Sequence, residues 1–308
     1  SHGWAHTGDH VLYIQDQAGD ENWHVYSVQL STGDVLDLTP FKGVQARMAA
    51  TSPRFPSEIL VYINKRSRKV HDLYKVDVTT GELNLLFKNK PKFVGVYTDD
   101  EYNLLFGQRT TRDGGWELLR NVDGSWEPFM AVGMEDAMTT RVVGPGADDE
   151  LFLIDSRGRN TAALFSMNLA DGTTELLAED PRADISFAFL HPTEHHVLVA
   201  ASTYTRTTLH LIDEEWSTHV ETLLDIEDGE LGLRGCSTGL ERCVVSYEMD
   251  DAPARYYLYD SFERRARYLF TDRSDLEDYD LASMHAVVIP ARDGLDLVSY
   301  YSLPLESD

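Results

Sequence analysis

An all-β fold, a β-propeller of four-stranded blades, is predicted by three features of this chain. A unit of apolar strand, polar turn, apolar strand, Gly or Asx turn and third strand is written six times. Its copies open at His10, Glu58, Asn103, Glu150, His196 and Arg242, about every 45–48 residues, the length of one propeller blade. The Gly or Asx turn is itself repeated, and no amphipathic helix of ordinary length breaks the pattern. Six repeats fill most of the 308 residues, so one array spanning residues 1–283, six-bladed or six of seven blades, is the economical reading.

The first copy runs from His10 to Pro40 (HVLYIQD, then HVYSVQLSTGDVLDLTP) and the second from Glu58 to Phe87 (EILVYINKR, then DLYKVDVTTGELNLLF). Within strands the residues alternate with a period of two. Val25, Ser27 and Gln29 alternate with Tyr26, Val28 and Leu30, and Leu73, Lys75 and Asp77 with Tyr74, Val76 and Val78. One apolar and one polar face per strand is expected. Gly33, Gly81, Gly124 and Gly172 stand where a tight hairpin needs positive φ. The last two copies have Asp213-Glu214-Glu215-Trp216 and Asp260-Ser261-Phe262-Glu263 instead, so a different connection is expected there. Between copies, weaker segments ending in Gly144-Pro145-Gly146-Ala147, His191-Pro192-Thr193-Glu194 and Ser237-Thr238-Gly239-Leu240 supply the innermost strands.

Composition excludes several function classes. With 52 acidic against 27 basic residues the formal net charge is −25. Such a surface repels nucleic acid, which is bound by displacing counterions with Lys and Arg, and it repels anionic membrane. The acids sit in turns, as in Asp148-Asp149-Glu150 and Asp250-Asp251, and read as a solvated surface with some pull on cations such as a peptide amine. No apolar run approaches the roughly 18 residues of a membrane helix. No secretory signal is visible, and the start Ser1-His2-Gly3 in place of Met reads as a trimmed N-terminus. Two cysteines, Cys236 and Cys243, are too few for a disulfide scaffold. They read as small buried apolar residues in a reducing, cytoplasmic compartment.

Several motifs look chemical and are better explained by the repeat. Gly235-Cys236-Ser237-Thr238-Gly239 matches G-x-S-x-G, but that nucleophile elbow needs strand–turn–helix, and here a strand, Cys243 to Tyr247, follows. His191, Glu194, His195 and His196 resemble a metal cluster, yet they fall in a blade turn, where neighbouring side chains diverge. Asp16, Asp20 and Glu21 lack the spacing of a calcium loop and read as a hairpin tip. Arg264, Arg265 and Arg267 form the notable basic cluster, read as a solvated strand edge. Trp4, Trp23, Trp116, Trp126 and Trp216 read as inter-blade core. No catalytic, cofactor-binding or metal-ligating residue is assigned.

Two stretches carry a family resemblance. Asp16 to Pro40, DQAGDENWHVYSVQLSTGDVLDLTP, resembles the propeller of the prolyl oligopeptidase family of serine peptidases, in its acylaminoacyl-peptidase and dipeptidyl-peptidase branch. Val288 to Leu297, VIPARDGLDL, followed by Tyr300 to Pro304, YYSLP, is similar to the segment where that family passes into its α/β-hydrolase domain. The resemblance implies that residues 284–308 are a strand pair leading into a hydrolase domain that this chain lacks. The family's catalytic Ser, Asp and His and its oxyanion hole belong to that domain, so none transfers to a position here. The Glu-rich helical insertion of the dipeptidyl-peptidase branch has no match, which leaves peptide specificity open.

The resemblance therefore implies a non-catalytic, substrate-gating propeller without a cofactor. Its partners would be a C-terminal α/β-hydrolase domain of the same polypeptide and short peptides, with self-association through exposed strand edges as a further possibility. Two alternatives stand beside it, because propellers host unrelated functions. One is a stand-alone binding propeller of the periplasmic type. The other is a six-bladed, metal-dependent, lactonase-like hydrolase, which needs inward-facing acids or amides from several blades.

Overall fold

Short apolar strands joined by tight turns satisfy their backbone groups by pairing with chain neighbours, and every blade is an antiparallel meander of consecutive strands. The computed structural model describes residues 2–147 and 149–305; Ser1, Asp148 and Asp308, named above, lie outside the described residues. The chain divides into two compact units, Ser1–Ala137 and Met138–Asp308.

The first unit holds three four-stranded blades. These are β1 (His2–Trp4), β2 (His10–Gln15), β3 (His24–Gln29) and β4 (Val35–Asp37); β5 (Ala46–Thr51), β6 (Glu58–Ser67), β7 (Val70–Asp77) and β8 (Leu83–Phe87); and β9 (Gly95–Thr98), β10 (Leu104–Thr110), β11 (Trp116–Val122) and β12 (Ser125–Val132). The second unit opens with β13 (Arg141–Pro145), β14 (Glu150–Asp155), β15 (Ala163–Asn168) and β16 (Thr174–Ala178). Its next blade has three strands, β17 (Ile185–Leu190), β18 (Val197–Thr203) and β19 (Thr207–Leu211), followed by a helix, α1 (Glu214–Leu224). The sixth blade is β20 (Glu230–Cys236), β21 (Arg242–Glu248), β22 (Arg255–Asp260) and β23 (Arg265–Thr271). A separate two-stranded sheet, β24 (Met284–Pro290) and β25 (Asp296–Ser302), follows. The β-propeller of six blades stands. The predicted openings are the second strand of each blade, and the weaker segments before them form the first.

The expected polar face is absent from the second strands β6, β14 and β18, for a reason visible in β6. Ile59 to Ile63 are five consecutive buried residues. Ile59, Val61 and Ile63 enter a core shared with Leu12, Val25 and Leu38 of the first blade. Leu60 and Tyr62 point the other way, into a core with Leu73 and Tyr102 and against Val96 and Leu104 of the third. Strand residues alternate faces; a sheet covered on both sides needs apolar residues at every position. Hydrogen bonds tie the same blades. Tyr62 Oη accepts from Val96 N–H at 2.6 Å, and Tyr102 Oη donates to the Glu58 carbonyl at 2.8 Å.

Three of the four repeated turns close identically, while Gly124 N–H donates to the Asn121 side chain instead. Gly33 N–H donates to the Gln29 carbonyl and Gln29 N–H to the Asp34 carbonyl; Gly81 with Asp77 and Glu82, and Gly172 with Asn168 and Thr173, repeat both bonds at 2.8–2.9 Å. The glycines lie at φ 79°, 73° and 74°.

Three expectations need correction. First, α1 stands where the repeat predicts a fourth strand. Asp213 caps it, its carboxylate accepting from Trp216 N–H at 2.7 Å, and Glu214 and Glu215 sit favourably in the first turn. Trp216, Val220 and Leu223, at i, i+4 and i+7, are its buried stripe and pack with Leu198, Val199 and Tyr259. Second, Trp4 is 60% exposed and Trp23 is also exposed, so they are not inter-blade core. Trp116 and Trp216 are buried, and Trp126 packs edge-on against Phe87 and Phe93. Third, Cys236 and Cys243 form a disulfide. They face each other directly in the β20–β21 ladder, with Cα atoms 4.0 Å apart, so the register itself brings the sulfurs together. The disulfide removes the ground on which a reducing compartment was expected.

Two outcomes are expected. Gly33→Ala destabilises by about 1 kcal/mol in urea unfolding, and Gly33→Asn by less, because a Cβ there meets no atom within 4 Å and only the left-handed backbone resists it. Unreduced, denatured protein shows no free thiol, and replacing both cysteines by serine costs about 2 kcal/mol.

Candidate functional site

The motifs singled out by the sequence are used up by the blades that carry them. Ser237 lies in the β20–β21 turn, with its N–H on the Arg242 carbonyl and its Oγ donating to the Glu241 carboxylate at 2.5 Å. It is strand–turn–strand, with an acid where a nucleophile would need an imidazole. The His cluster lies in the β17–β18 turn. His191 Nδ1 accepts from the N–H groups of Thr193 and Glu194, the rings of His191 and His196 stack with centroids 5.3 Å apart, and His196 Nε2 sits 3.3 Å from Asp213. Burial holds the His191 pKa below its ordinary value. At the β2–β3 tip, Asp16 accepts from Glu21 N–H, and Asp20 from Gln17 and Asn22 N–H. Among the described residues no group of three or more His, Cys, Asp or Glu side chains is arranged to hold a metal. Arg265 and Arg267 lie exposed on the outer strand β23, and Arg264 just before it.

The strongest candidate for a functional surface is the β24–β25 hairpin and the cleft beneath it, both in the second unit. Its pairing is regular from Met284–Ser302 to Pro290–Asp296, yet apolar side chains are exposed along it, among them Val287, Ile289, Leu297 and Tyr301. The hairpin is anchored at one side. Tyr300 Oη donates to the Thr205 carbonyl at 2.8 Å, Tyr204 Oη to the Asp296 carboxylate at 3.2 Å, and Met284 N–H to Asp250 at 2.8 Å. Below it lies a cleft of about 510 Å³ lined by Arg206, Asp228, Glu230, Glu248, Asp250 and Tyr300 among others. Arg206 pairs with Asp228 at 3.1 Å, and Glu230 accepts from Thr207 N–H and Oγ1. Four carboxylates against one guanidinium make the cleft acidic. It offers no nucleophile–base pair; it can attract a cation and accept a covering surface.

One feature escaped the sequence reading. The larger basic assembly is not at Arg264 but in two acid-free stretches, Lys65 to Lys69 (KRSRK) and Lys88 to Lys92 (KNKPK), which the second blade brings together. Their composition alone could have flagged them.

Comparison with known proteins places these features. No family model matches the chain. Over 310 residues it is 37% identical to dipeptidyl aminopeptidase BIII of Pseudoxanthomonas mexicana, covering 100% of this chain and 45% of that protein. It is 23% identical to dipeptidyl peptidase family member 6 of Caenorhabditis elegans over 98% of this chain and 43% of that one. The chain thus spans less than half the length of these relatives. Among solved structures, prolyl oligopeptidase B from Galerina marginata superposes with a TM-score of 0.63 at 11% identity, over 97% of this chain and 45% of that one. That likeness establishes the fold.

A pH dependence follows from His219 on α1. Its Nδ1 is hydrogen-bonded to Tyr259 Oη at 2.8 Å, and burial, with Arg264 nearby, holds its pKa below 6.5. Below 6.5 the unfolded chain then binds more protons than the folded one, so this group's contribution is present above 6.5 and is lost as pH falls. The Tm gap between wild type and His219→Gln is expected to narrow from pH 7.5 to 5.5 in parallel melts; a constant gap would contradict this.

Proposed function

The chain is a propeller domain of the prolyl oligopeptidase family of serine peptidases, and from that premise we propose that it caps a hydrolase domain and gates its substrates without catalysing the reaction. The observation that carries this is the identity with a dipeptidyl aminopeptidase along the whole of this chain and under half of that protein. In this reading the reacting groups belong to a C-terminal α/β-hydrolase domain of the same polypeptide. The exposed apolar hairpin β24–β25 is the join, and covering its side chains supplies the driving force for docking.

The physical role proposed is a sieve. Stacked sheets buried on both faces form a stiff wall, which admits a short extended peptide and excludes a folded protein. A wall over the active site also shields the acyl-enzyme from bulk water. The excess of 25 negative charges draws the ammonium end of a peptide toward the domain, and the acidic cleft beside the hairpin concentrates that field. Nucleic acid and anionic lipid are disfavoured by the same field.

The isolated chain is expected to show no turnover of dipeptidyl or N-acyl-aminoacyl chromogenic substrates and no labelling by a fluorophosphonate. Turnover that a serine-directed inhibitor abolishes would overturn the proposal.

A further inference from the structure

The positive charge of this acidic chain is concentrated at one end of the second blade. Asn64 to His71 contains Lys65, Arg66, Arg68 and Lys69, and Lys88 to Lys92 adds Lys88, Lys90 and Lys92, with no acid in either stretch. The antiparallel meander explains their meeting. The start of β5, the β6–β7 turn and the end of β8 all lie at the same end of the blade.

A cleft of about 280 Å³ opens there, lined by Gln45, Arg47, Lys69, His71, Lys92 and Phe93 among others, and no carboxylate lines it. The acid that follows His71 in the chain, Asp72, is buried and occupied. Arg66 grips it with two bonds at 2.7 and 2.8 Å, and Asn89 N–H donates a third at 2.8 Å. Lys69 and Lys92 have no ion-pair partner among the described residues.

The walls are held in place. Arg47 lies over the Tyr62 ring, 4.6 Å from its centroid, and donates to the Val94 carbonyl at 2.6 Å. Buried Asn89 ties the loop bearing Lys92 to the strand bearing His71. It donates to the His71 carbonyl at 3.0 Å and the Phe93 carbonyl at 2.8 Å, and accepts from Phe93 N–H at 2.8 Å. Against these satisfied groups one atom stands out: His71 Nε2 is buried with no hydrogen-bond partner. A buried polar atom left alone is costly, and it calls for an occupant that can accept a hydrogen bond.

We propose that this cleft is a binding site for a small oxyanion, a carboxylate or a phosphate, with Arg47, Lys69 and Lys92 compensating its charge and His71 donating to it from Nε2. Charge-assisted bonds of this kind are about twice as strong as neutral ones. The groups facing His71 fix the proton balance. Burial, and after it Arg47 on β5, lower its pKa, Asp72 on its own strand raises it, and Lys69 and Lys92 add positive charge at the cleft. A bound anion opposes those cations, so it raises the His71 pKa and binds more tightly as pH falls. The inference does not rest on the peptidase reading; if the anion is a peptide carboxylate, the site is one more substrate contact.

The test is a low-salt titration of the chain with inorganic phosphate, with trialanine and with trialanine amide, followed by calorimetry and by the histidine side-chain NMR signals. Saturable binding of phosphate or of trialanine, with the His71 pKa raised and the amide inert, upholds the site, and the arm that saturates names the source. The Lys69→Glu, Lys92→Glu double variant is expected to lose about tenfold or more in affinity. Both lysines are exposed, so its melting curve should match wild type. No saturable binding in either arm, equal binding by the double variant, or a His71 signal indifferent to the ligand would each overturn the proposal.

Discussion

Stacking of sheets on both faces is the constraint from which the rest of the structure follows. In β6 the odd positions serve one core and the even positions the next, so a single strand is shared between two interfaces. β18 is likewise shared in the second unit, although a register shift between Val197 and Val199 breaks the simple odd–even alternation. Val197 and Ala200 join a core with Phe152 and Leu164 of the preceding blade, while Leu198 and Val199 join one with Val245 and Tyr259 of the following blade. Polar latches recur at about the length of one repeat, 47 and 45 residues. Arg47 donates to the Val94 carbonyl and Arg141 to that of Ser186, each reaching from the first strand of one blade to that of the next or the residue just before it. A blade is therefore incomplete alone and is finished by its neighbours, which is why the sequence must repeat.

The repeat was legible because its punctuation is local. The segments Gln29 to Asp34 and Asp77 to Glu82 close with bonds among their own residues, and they close with the same ones. What was not legible depended on partners distant in the chain. The Cys236–Cys243 pairing needs the register of two strands. In β3 the buried side is the one that carries Val25 and the polar Ser27, while Tyr26 and Val28 stay half-exposed, the Tyr26 ring stacking on Tyr13 of the neighbouring strand with centroids 5.1 Å apart. α1 is a different failure, since its cap, acidic first turn and apolar spacing are all written between Asp213 and Leu223. The expectation of another strand at that place in the repeat outweighed a helix signal that was local and complete.

The candidate site shows the same division. The sequence could dismiss Ser237 and the histidines by position alone, and the segment from Val288 to Leu297 marked the hairpin by its resemblance. The acidic cleft under the hairpin was not legible, because Asp228, Glu248 and Asp250 reach it from different strands or loops. The basic cleft was half legible. KRSRK and KNKPK are conspicuous, but roughly two dozen residues apart, and only the return of β8 to the end where β5 starts unites them.

The outer edges of the blades bear on how such a domain survives at high concentration. A bare strand edge is a template to which a foreign strand can add. β4 offers only three residues, β23 carries Arg265 and Arg267, and the fifth blade ends in a capped helix instead of a strand. The β24–β25 ribbon has none of these protections: its two strands pair only with each other, and apolar side chains line it. Left uncovered, it is the segment of this chain best suited to seed strand-to-strand aggregation. Prompt burial of that one hairpin then matters for solubility and quality control as much as for architecture.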